Sequence, residues 1–206
     1  MVIECEYKDD KKYGKGKYYN KDTGELEFEG EYLYDWKIKG KEYVKGKLEF
    51  EGEYYFNNKW NGKGYDENGN IAYILNNGKG NVKYYHNNGN LEYEGEYLNG
   101  KKNGKGKEYN DDSILIYEGE YLNDKKSGKG KEYNDNGILI YEGEYLNDKK
   151  NGKGKEYDND GILIYEGYFL KGERNGKGKE YNDEGKLIFE GEFFDWKSID
   201  EDEDNN

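Results

Sequence analysis

The chain has 206 residues, of which 38% are charged and 32% apolar, and its formal net charge is -13. An acidic chain of this kind is not expected to bind nucleic acid, or to be drawn to an anionic membrane by bulk charge. The low apolar content is typical of disordered chains, but aromatic residues make up 17% of the sequence and recur at regular positions. That regularity predicts an ordered fold.

The N-terminus, Met1 to Glu6, lacks the basic start and apolar stretch of a secretory signal. No segment reaches the roughly 20 apolar residues that a membrane-spanning helix needs. Cys5 is the single cysteine, so an internal disulfide is excluded. We therefore expect a soluble, cytoplasmic protein, with a peripheral position at a membrane as the alternative.

The sequence repeats itself. An aromatic–Glu–Gly–Glu motif opens most units, and in the middle of the chain its copies are 24 residues apart. Degenerate copies begin at Ile3 and Tyr73, and the other units open at Phe28, Phe50, Tyr93, Tyr117, Tyr141, Tyr165 and Phe189. We predict one repeat array over residues 1–196, with about eight units, a final half-unit and a degenerate region near 73–92. Residues 197–206 are predicted to be a disordered acidic tail.

Each unit is predicted to contain two strands. Residues Leu139 to Tyr145 alternate in chemistry, as a strand does, and the preceding Asn136-Gly137 is a tight-turn signal. Leu146 to Asn151 is predicted to be a polar loop. The second strand contains a Gly-Lys-Gly block, found at residues 14–16, 62–64, 104–106, 128–130, 152–154 and 176–178. The predicted fold is all-β, an elongated single-layer antiparallel β-hairpin repeat array, roughly 75–80 Å long at about 4.8 Å per strand.

Charge predicts the register within each hairpin. The predicted opposed pairs are Tyr97 with Gly104, Glu96 with Lys105, Gly95 with Gly106, and Glu94 with Lys107. This pairing places glutamate against lysine on one face, and a slip of one residue would set each glutamate against a glycine. The other face alternates tyrosine with glycine, which leaves space for rings whose burial stabilises the array.

An aromatic-x-Gly-x-aromatic segment followed by Gly-x-Gly resembles the MORN repeat (membrane occupation and recognition nexus). The matching residues are Tyr93-Glu94-Gly95-Glu96-Tyr97, Gly100 and Gly104-Lys105-Gly106. Tyr97 stands where the family often has tryptophan. The likeness covers nearly all of residues 3–195 and departs at Tyr73 to Asn90, at the second unit, and in its period, since family repeats are about 23 residues long.

The resemblance implies an elongated hairpin array without a catalytic domain. It also implies roles in scaffolding, self-association, membrane-proximal assembly and, in some members, phosphoinositide or phosphatidic acid binding. The units look like the subtype common in bacterial proteins, some of which are described as antitoxins of toxin–antitoxin pairs.

Two sets of residues are candidates for binding. The tyrosine–glycine face is predicted first as core and alternatively as a groove for a partner strand or helix. Its residues are Tyr93, Tyr97, Tyr117, Tyr121, Tyr141, Tyr145 and Tyr165. A row of lysines is the candidate for anionic headgroups, although paired glutamates are expected to neutralise it. Those lysines are Lys101, Lys102, Lys105 and Lys107.

No catalytic, cofactor or metal site is predicted. His86 is the single histidine and has no partner for a metal site, and Cys5 has no nearby histidine to activate it. Glutamates such as Glu94 recur in every unit, whereas an acid–base pair needs one distinct environment. The Asn110–Asp112 cluster lacks the spacing of a calcium loop, and the Gly-Lys-Gly blocks lack that of a nucleotide loop.

The sequence therefore predicts a non-catalytic scaffold that binds a protein partner, or itself, along an extended face. Exposed strand edges at the two ends favour end-to-end pairing. One alternative is an adaptor that binds anionic phospholipid headgroups at a membrane surface. The other is an antitoxin that neutralises a partner toxin.

Overall fold

The computed structural model describes residues 2–86 and 88–194. Within these ranges the chain forms 17 β-strands and no helix, which confirms the predicted class of an all-β hairpin array. The strands are β1 (Val2–Lys8), β2 (Lys11–Tyr19), β3 (Leu26–Leu33), β4 (Trp36–Val44), β5 (Lys47–Tyr55), β6 (Asn58–Tyr65), β7 (Ile71–Leu75), β8 (Gly80–Tyr85), β9 (Leu91–Leu98), β10 (Lys101–Tyr109), β11 (Leu115–Leu122), β12 (Lys125–Tyr133), β13 (Leu139–Leu146), β14 (Lys149–Tyr157), β15 (Leu163–Leu170), β16 (Glu173–Tyr181) and β17 (Leu187–Phe193). The predicted tail at 197–206 lies outside the described residues.

The strands form two open antiparallel sheets, and the strand order in each follows the chain, from β1 to β7 in one and from β8 to β17 in the other. The chain divides into two compact units, Met1–Ser113 with β1–β10 and Ile114–Asn206 with β11–β17. Inside each unit, short connections join consecutive strands into hairpins. This meander is what a tandem hairpin repeat requires.

The turn between β13 and β14 is shorter than the sequence predicted. Asn147 and Asp148 both have positive φ, 50° and 68°, and Leu146 pairs directly with Lys149. Two consecutive left-handed residues make the tight turn whose twist matches the strands, and Asn and Asp tolerate that backbone well. The predicted polar loop over Leu146–Asn151 is therefore wrong, because most of it belongs to the two strands.

The connection that contains Asn136-Gly137 is longer than the predicted tight turn. Tyr133 pairs with Leu139, so residues 134–138 lie outside the ladder. The side-chain oxygen of Asn134 accepts hydrogen bonds from the backbone N–H groups of Asn136 and Ile138, both at 3.0 Å. Hydrogen bonds between an asparagine side chain and the backbone that follows it stabilise such a loop, although the loop pairs with no strand.

The glycine pair is the centre of each regular hairpin, as predicted. Gly95 lies opposite Gly106 and Glu94 opposite Lys107, which confirms those two pairs. Tyr97, however, lies opposite Lys102 and not opposite Gly104, so this part of the predicted register is wrong. The predicted opposition of a tyrosine with the first glycine occurs instead between repeats, where Gly128 lies opposite Tyr145.

A β-bulge at the first glycine shifts the register. Gly104 has a φ of +86°, a left-handed conformation that glycine adopts without strain. The bulge leaves the backbone N–H of Lys105 outside the ladder, and this N–H donates to Glu96 Oε1 at 3.1 Å. Glu96 therefore satisfies the bulge in addition to balancing the lysines of this face.

Aromatic rings lie directly on the glycine pairs and form the core. Tyr141 has no exposed surface, and a Cβ placed on Gly154 would lie 2.7 Å from the Cζ atom of its ring. Its ring packs edge-on against Tyr145 at 5.2 Å and against Phe169 of the next repeat at 5.3 Å. Each buried ring contributes about 1.5–3 kcal/mol through burial alone. Contacts between rings therefore link each repeat to the next and stabilise both.

The third repeat is aligned differently from the sequence prediction. Gly62, not Gly64, lies opposite Gly52, so Gly62 is the paired glycine of this unit. Gly64 takes the place that Glu108 occupies opposite Tyr93 in the fifth hairpin. The ring of Tyr73 fills the space beside Gly64, so a Cβ on Gly64 would overlap this ring.

The two sheets separate where the glycine pair is missing. In the degenerate unit, Leu75 and Val82 stand at the two glycine positions, opposite Gly62 and Gly95 of the neighbouring strands. Both side chains are 1% exposed, so they fill the space in which β7 and β8 would otherwise approach each other. Backbones that carry two branched side chains under a ring cannot come as close as two glycines. The ladder between them is limited to Asn76 and Lys79.

Candidate functional site: the glutamate–lysine face

The face opposite the rings carries the charged pairs of every regular repeat. In the second compact unit, Ile114–Asn206, Glu142 lies opposite Lys155 and Lys131, so its carboxylate has a lysine on both neighbouring strands. The hydroxyl of Tyr157 donates to Glu142 Oε1 at 2.9 Å. Burial, followed by this hydrogen bond, raises the pKa of Tyr157 to about 12. The face is therefore ordered by hydrogen bonds as well as by charge.

A groove of about 920 Å³ runs along this face in the second compact unit. Its floor includes the backbone of the glycine pairs, which lies between the charged side chains of this face. Six lysines and six glutamates line it, namely Lys129, Lys131, Lys153, Lys155, Lys177 and Lys179 with Glu118, Glu142, Glu144, Glu166, Glu190 and Glu192. Their formal charges balance, so the groove has no net sign, and much of its exposed lining is apolar surface.

One aromatic side chain interrupts the charged lining. Tyr168 stands where the other regular repeats have the second glutamate of Glu-Gly-Glu, and it is 44% exposed inside the groove. It lies opposite Lys153, whose Nζ is 5.4 Å from the centre of its ring. The neighbouring row pairs Lys129 with Glu144 in the same position. Lys153 therefore faces an aromatic ring in place of a carboxylate.

The prediction from sequence did not single out Tyr168. The signal is visible when the repeats are aligned, since Tyr168 occupies the position that Glu120 and Glu144 occupy in the two preceding copies. It was overlooked because tyrosine is the commonest aromatic residue of the chain, and because the groove is visible only once the strands are placed side by side.

The structure places the predicted aromatic residues in the core. Tyr93, Tyr117, Tyr141 and Tyr165 have no exposed surface, while Tyr121 and Tyr145 are buried and Tyr97 is half-buried. A partner that approached this face would first meet the charged layer above the rings.

That charged layer is a ladder of cations over rings. The Nζ of Lys150 lies 4.6 Å from the ring centre of Tyr141 and 2.7 Å from Glu156 Oε1. Arg174 lies over Tyr165 and bonds Glu156 Oε2 at 2.8 Å. Burial alone would raise the pKa of Glu156, but Lys150 and Arg174 lower it below the ordinary value. The ladder shields the rings from water and joins successive repeats.

The four lysines predicted for headgroup binding fall on both faces. Lys102 lies over the ring of Tyr93 at 4.3 Å and bonds Glu108 at 2.6 Å, so it belongs to the ladder. Lys107 lies opposite Glu94 on the glutamate–lysine face. Lys101 and Lys105 are exposed. The structure thus does not bring the four together as one cationic patch.

The first unit contains a buried charge cluster that the sequence did not reveal. Lys59 is 10% exposed and pairs with Glu42 at 3.1 Å and with Glu49, which is 7% exposed. Burial opposes the charged form of Lys59, but the two carboxylates raise its pKa overall. Burial raises the pKa of Glu49, whereas Lys59 and Lys37 outweigh burial at Glu42 and lower its pKa. Gly64 stands where the regular repeats have the glutamate that pairs with this lysine, as Glu108 pairs with Lys102. Lys59 pairs with Glu42 and Glu49 instead.

The lone histidine and cysteine have structural surroundings. His86 Nε2 lies 2.8 Å from the carbonyl oxygen of Tyr109, and Nδ1 lies 3.2 Å from Asp111. Cys5 lies opposite Gly16, in a glycine position of the first hairpin. Across residues 2–86 and 88–194, no group of three or more His, Cys, Asp and Glu side chains is arranged to hold a metal ion. No helix in those ranges has the length and apolarity needed to cross a membrane.

Comparison with known families agrees with this repeat geometry. The MORN repeat matches residues 93–113, 117–138, 141–162 and 165–186, and the MORN repeat variant matches residues 79–99. The chain is a MORN repeat protein. No curated protein matches it significantly. The same glycine-paired hairpins occur in the structure before residue 79, for example where Gly30 lies opposite Gly40.

Proposed function

We propose that the chain is a non-catalytic interaction scaffold that binds an extended segment of a partner protein in the groove of the second unit. The observation that carries this proposal is the groove itself, which crosses several repeats and has a single exposed ring, Tyr168, within its charged lining. MORN repeats are consistent with a repeat scaffold. The cytoplasmic location predicted from the sequence is part of the same proposal.

The lining indicates the chemistry of the segment. Balanced glutamates and lysines favour a partner that carries both signs of charge, because a polyanion would meet the carboxylates at every step. An exposed tyrosine in a groove is a typical anchor, since one ring contributes contact area and a hydroxyl with little loss of rotamer freedom. Lys153 beside the ring would receive a carboxylate of the partner in place of the glutamate that the repeat lacks.

The repeat supplies a variant that tests the groove. Tyr168→Glu restores the residue that Glu144 and Glu120 provide in neighbouring units, so the fold is expected to accept it. Affinity purification from the native host followed by mass spectrometry would identify partners retained by the wild-type chain. We expect the specific partner to be lost with Tyr168→Glu and kept with Leu170→Glu, a matched change at an exposed residue outside the groove lining. A partner retained equally by both variants would reject the groove as its site.

The two alternatives are outcomes of companion measurements. Headgroup binding would give salt-sensitive cosedimentation with vesicles that contain anionic lipid and none with neutral vesicles. An antitoxin role would appear as recovery of one small toxic partner encoded beside this chain. The pairing of Lys102 and Lys107 with glutamates gives the headgroup alternative no support from the geometry.

A further inference from the structure

The last strand carries a core ring without its cover. Phe189 opens the final half-repeat at the position of Phe28, Phe50, Tyr117 and Tyr141, which are at most 1% exposed, yet Phe189 is 46% exposed. Its neighbours Leu187 and Ile188 are 50% and 60% exposed. In the described part of the chain, β17 lies at the end of its sheet and pairs with β16 alone. A residue built for the core thus lies at an open edge.

The preceding repeat shows what is missing. The ring of Tyr165 is covered by Arg174 from the following strand, with the guanidinium carbon 4.6 Å from the ring centre. That strand also places Lys179 opposite Glu166 and Gly178 opposite Gly167. For Phe189 the described structure provides one ring neighbour, Phe193 at 5.2 Å, which belongs to the same strand. The open edge therefore lacks a cation, a glycine and a lysine at defined positions.

The following sequence is unsuited to fill this place. Two 24-residue periods after Lys153-Gly154-Lys155, the chain reads Glu201-Asp202-Glu203. As a return strand, these residues would set carboxylates against Glu190 and Glu192 and a branched side chain against Gly191. Like charges placed directly opposite each other destabilise a sheet. In a regular hairpin a side chain at this position also meets the core ring, since a Cβ on Gly154 would lie 2.7 Å from the Cζ atom of Tyr141.

Pairing between two copies meets the same obstacle. The other terminal strand, β1, carries Glu4 and Glu6 on either side of Cys5, so joining it to β17 would oppose glutamates with glutamates. An antiparallel pair of two β17 strands centred on Gly191 would bring Glu190 against Glu192. The end-to-end self-pairing expected from the sequence is therefore disfavoured by charge.

We propose that the open edge of β17 binds, by antiparallel strand addition, an extended segment of a partner protein with a basic–glycine–basic core. One basic residue would pair with Glu190, as Lys179 pairs with Glu166, and the glycine would lie on Gly191. The other basic residue would lie near Glu192, at the position of the bulge. A further cation would cover Phe189, as Arg174 covers Tyr165. Main-chain hydrogen bonds give such a complex its affinity, while the charges and the glycine give it specificity.

The chain contains its own probe for this edge. A synthetic peptide with the sequence of Lys149–Tyr157, KKNGKGKEY, has the proposed pattern. The experiment titrates this peptide to millimolar concentration into the full-length protein and follows the backbone amide signals of β17 by NMR. We expect saturable shifts in β17 and slower hydrogen exchange of its outward amides, because new ladder bonds form there.

Charge exchange gives the decisive comparison. Glu190→Lys with Glu192→Lys should weaken peptide binding about tenfold, since two attractive pairs become repulsive. Asp183→Lys with Glu184→Lys changes the net charge equally in a nearby turn and should leave binding unchanged. A peptide with Lys153→Glu and Lys155→Glu should bind the first variant and not the wild type.

Groove binding is distinguished by Tyr168→Glu, which should not affect this peptide. Loss of binding with Tyr168→Glu would assign the peptide to the groove and overturn the edge proposal. Equal weakening by the two double variants, or the absence of any β17 shifts with wild-type protein, would also overturn it. None of these three results bears on whether a different partner occupies the groove.

Discussion

At the scale of single residues, the opposed glycines determine how close two strands and a ring can come. A Cβ on Gly130 would lie 2.7 Å from Cζ and 2.8 Å from Cε2 of Tyr117, inside any normal contact distance. The ring of Tyr117 has no exposed surface. The glycine is therefore required by packing, not by a special backbone conformation.

Replacing this glycine should cost stability in proportion to the overlap. We expect Gly130→Ala to lower the free energy of unfolding by about 1–3 kcal/mol, the usual cost of adding a methyl group to a filled core. Urea denaturation followed by circular dichroism measures the change. Lys129→Ala, in the same strand but on the charged face, should cost at most about 1 kcal/mol. Equal effects of the two substitutions would contradict the assigned packing.

Glu156 is the residue whose charge is most clearly tied to the fold. Burial disfavours its charged form, but hydrogen bonds from Lys150 and Arg174 prevail and lower its pKa in the folded state. A lowered pKa means that the folded chain binds fewer protons than the unfolded chain as acid is added. The stabilisation is present above the unfolded value of 4.5 and is lost as the pH falls through the folded value.

Glu156→Gln should remove this pH dependence. At neutral pH we expect the variant to be less stable by about 1.5–3 kcal/mol, because hydrogen bonds to a charged group are lost. Below the unfolded pKa the difference from wild type should shrink, which urea titrations at a series of acidic pH values would show. Glu184→Gln, at an exposed turn residue, serves as the control. A stability difference that stays constant into acid would argue against this role.

At the scale of elements, the strands β7 and β8 differ from every regular hairpin. Leu75 and Val82 replace the glycine pair, and the two strands are linked through Asn76 and Lys79, whose backbone groups exchange two hydrogen bonds of 3.1 Å. Buried side chains stabilise this junction where a ladder would do so elsewhere. The amides that face each other across the junction therefore lack the protection of a ladder.

Hydrogen exchange should reveal this junction. We expect amides of residues 71–85 that face the junction to exchange faster than the facing amides of β13 and β14, because a full ladder protects the latter. Exchange resolved by NMR at neutral pH measures both sets in one sample. Similar protection at the two places would indicate that β7 and β8 form a continuous ladder in solution.

At the scale of the whole chain, tyrosine is both the core residue and a reporter of folding. Burial is the largest cause that raises the pKa of several tyrosines to about 12, namely Tyr32, Tyr43, Tyr133 and Tyr157. Burial raises the pKa of Tyr54, Tyr73 and Tyr145 further. A raised pKa stabilises the folded state fully below the unfolded value of 10, and this stability is lost as the pH rises toward the folded value.

Alkaline titration should therefore show late ionisation of the buried tyrosines. We expect the tyrosines with raised pKa values to ionise above the ordinary value of about 10, together with unfolding. Absorbance of tyrosinate and circular dichroism, recorded on the same samples, measure both events. In urea all tyrosines should ionise near pH 10, which provides the control. A single transition near pH 10 in the native protein would contradict the buried core.

Much of the fold could be predicted from the sequence because the repeat shows the same interactions many times. The opposition of Gly95 with Gly106 and of Glu94 with Lys107 follows from alternation and charge, and the structure has both. The position of Tyr97 opposite Lys102 could not be predicted, since it depends on the left-handed backbone of Gly104 and the bulge around it. The groove could not be predicted either, because it exists only between strands of successive repeats.

The sequence alone determined the strand order, the paired glycines and the all-β class, because each of these is a local pattern repeated along the chain. The tertiary structure decided what those patterns do together. It buries the tyrosine face, opens a groove around Tyr168, separates the sheets at Leu75 and leaves Phe189 at an edge. These outcomes depend on how neighbouring repeats contact each other, and a contact between distant residues is not written in any single repeat.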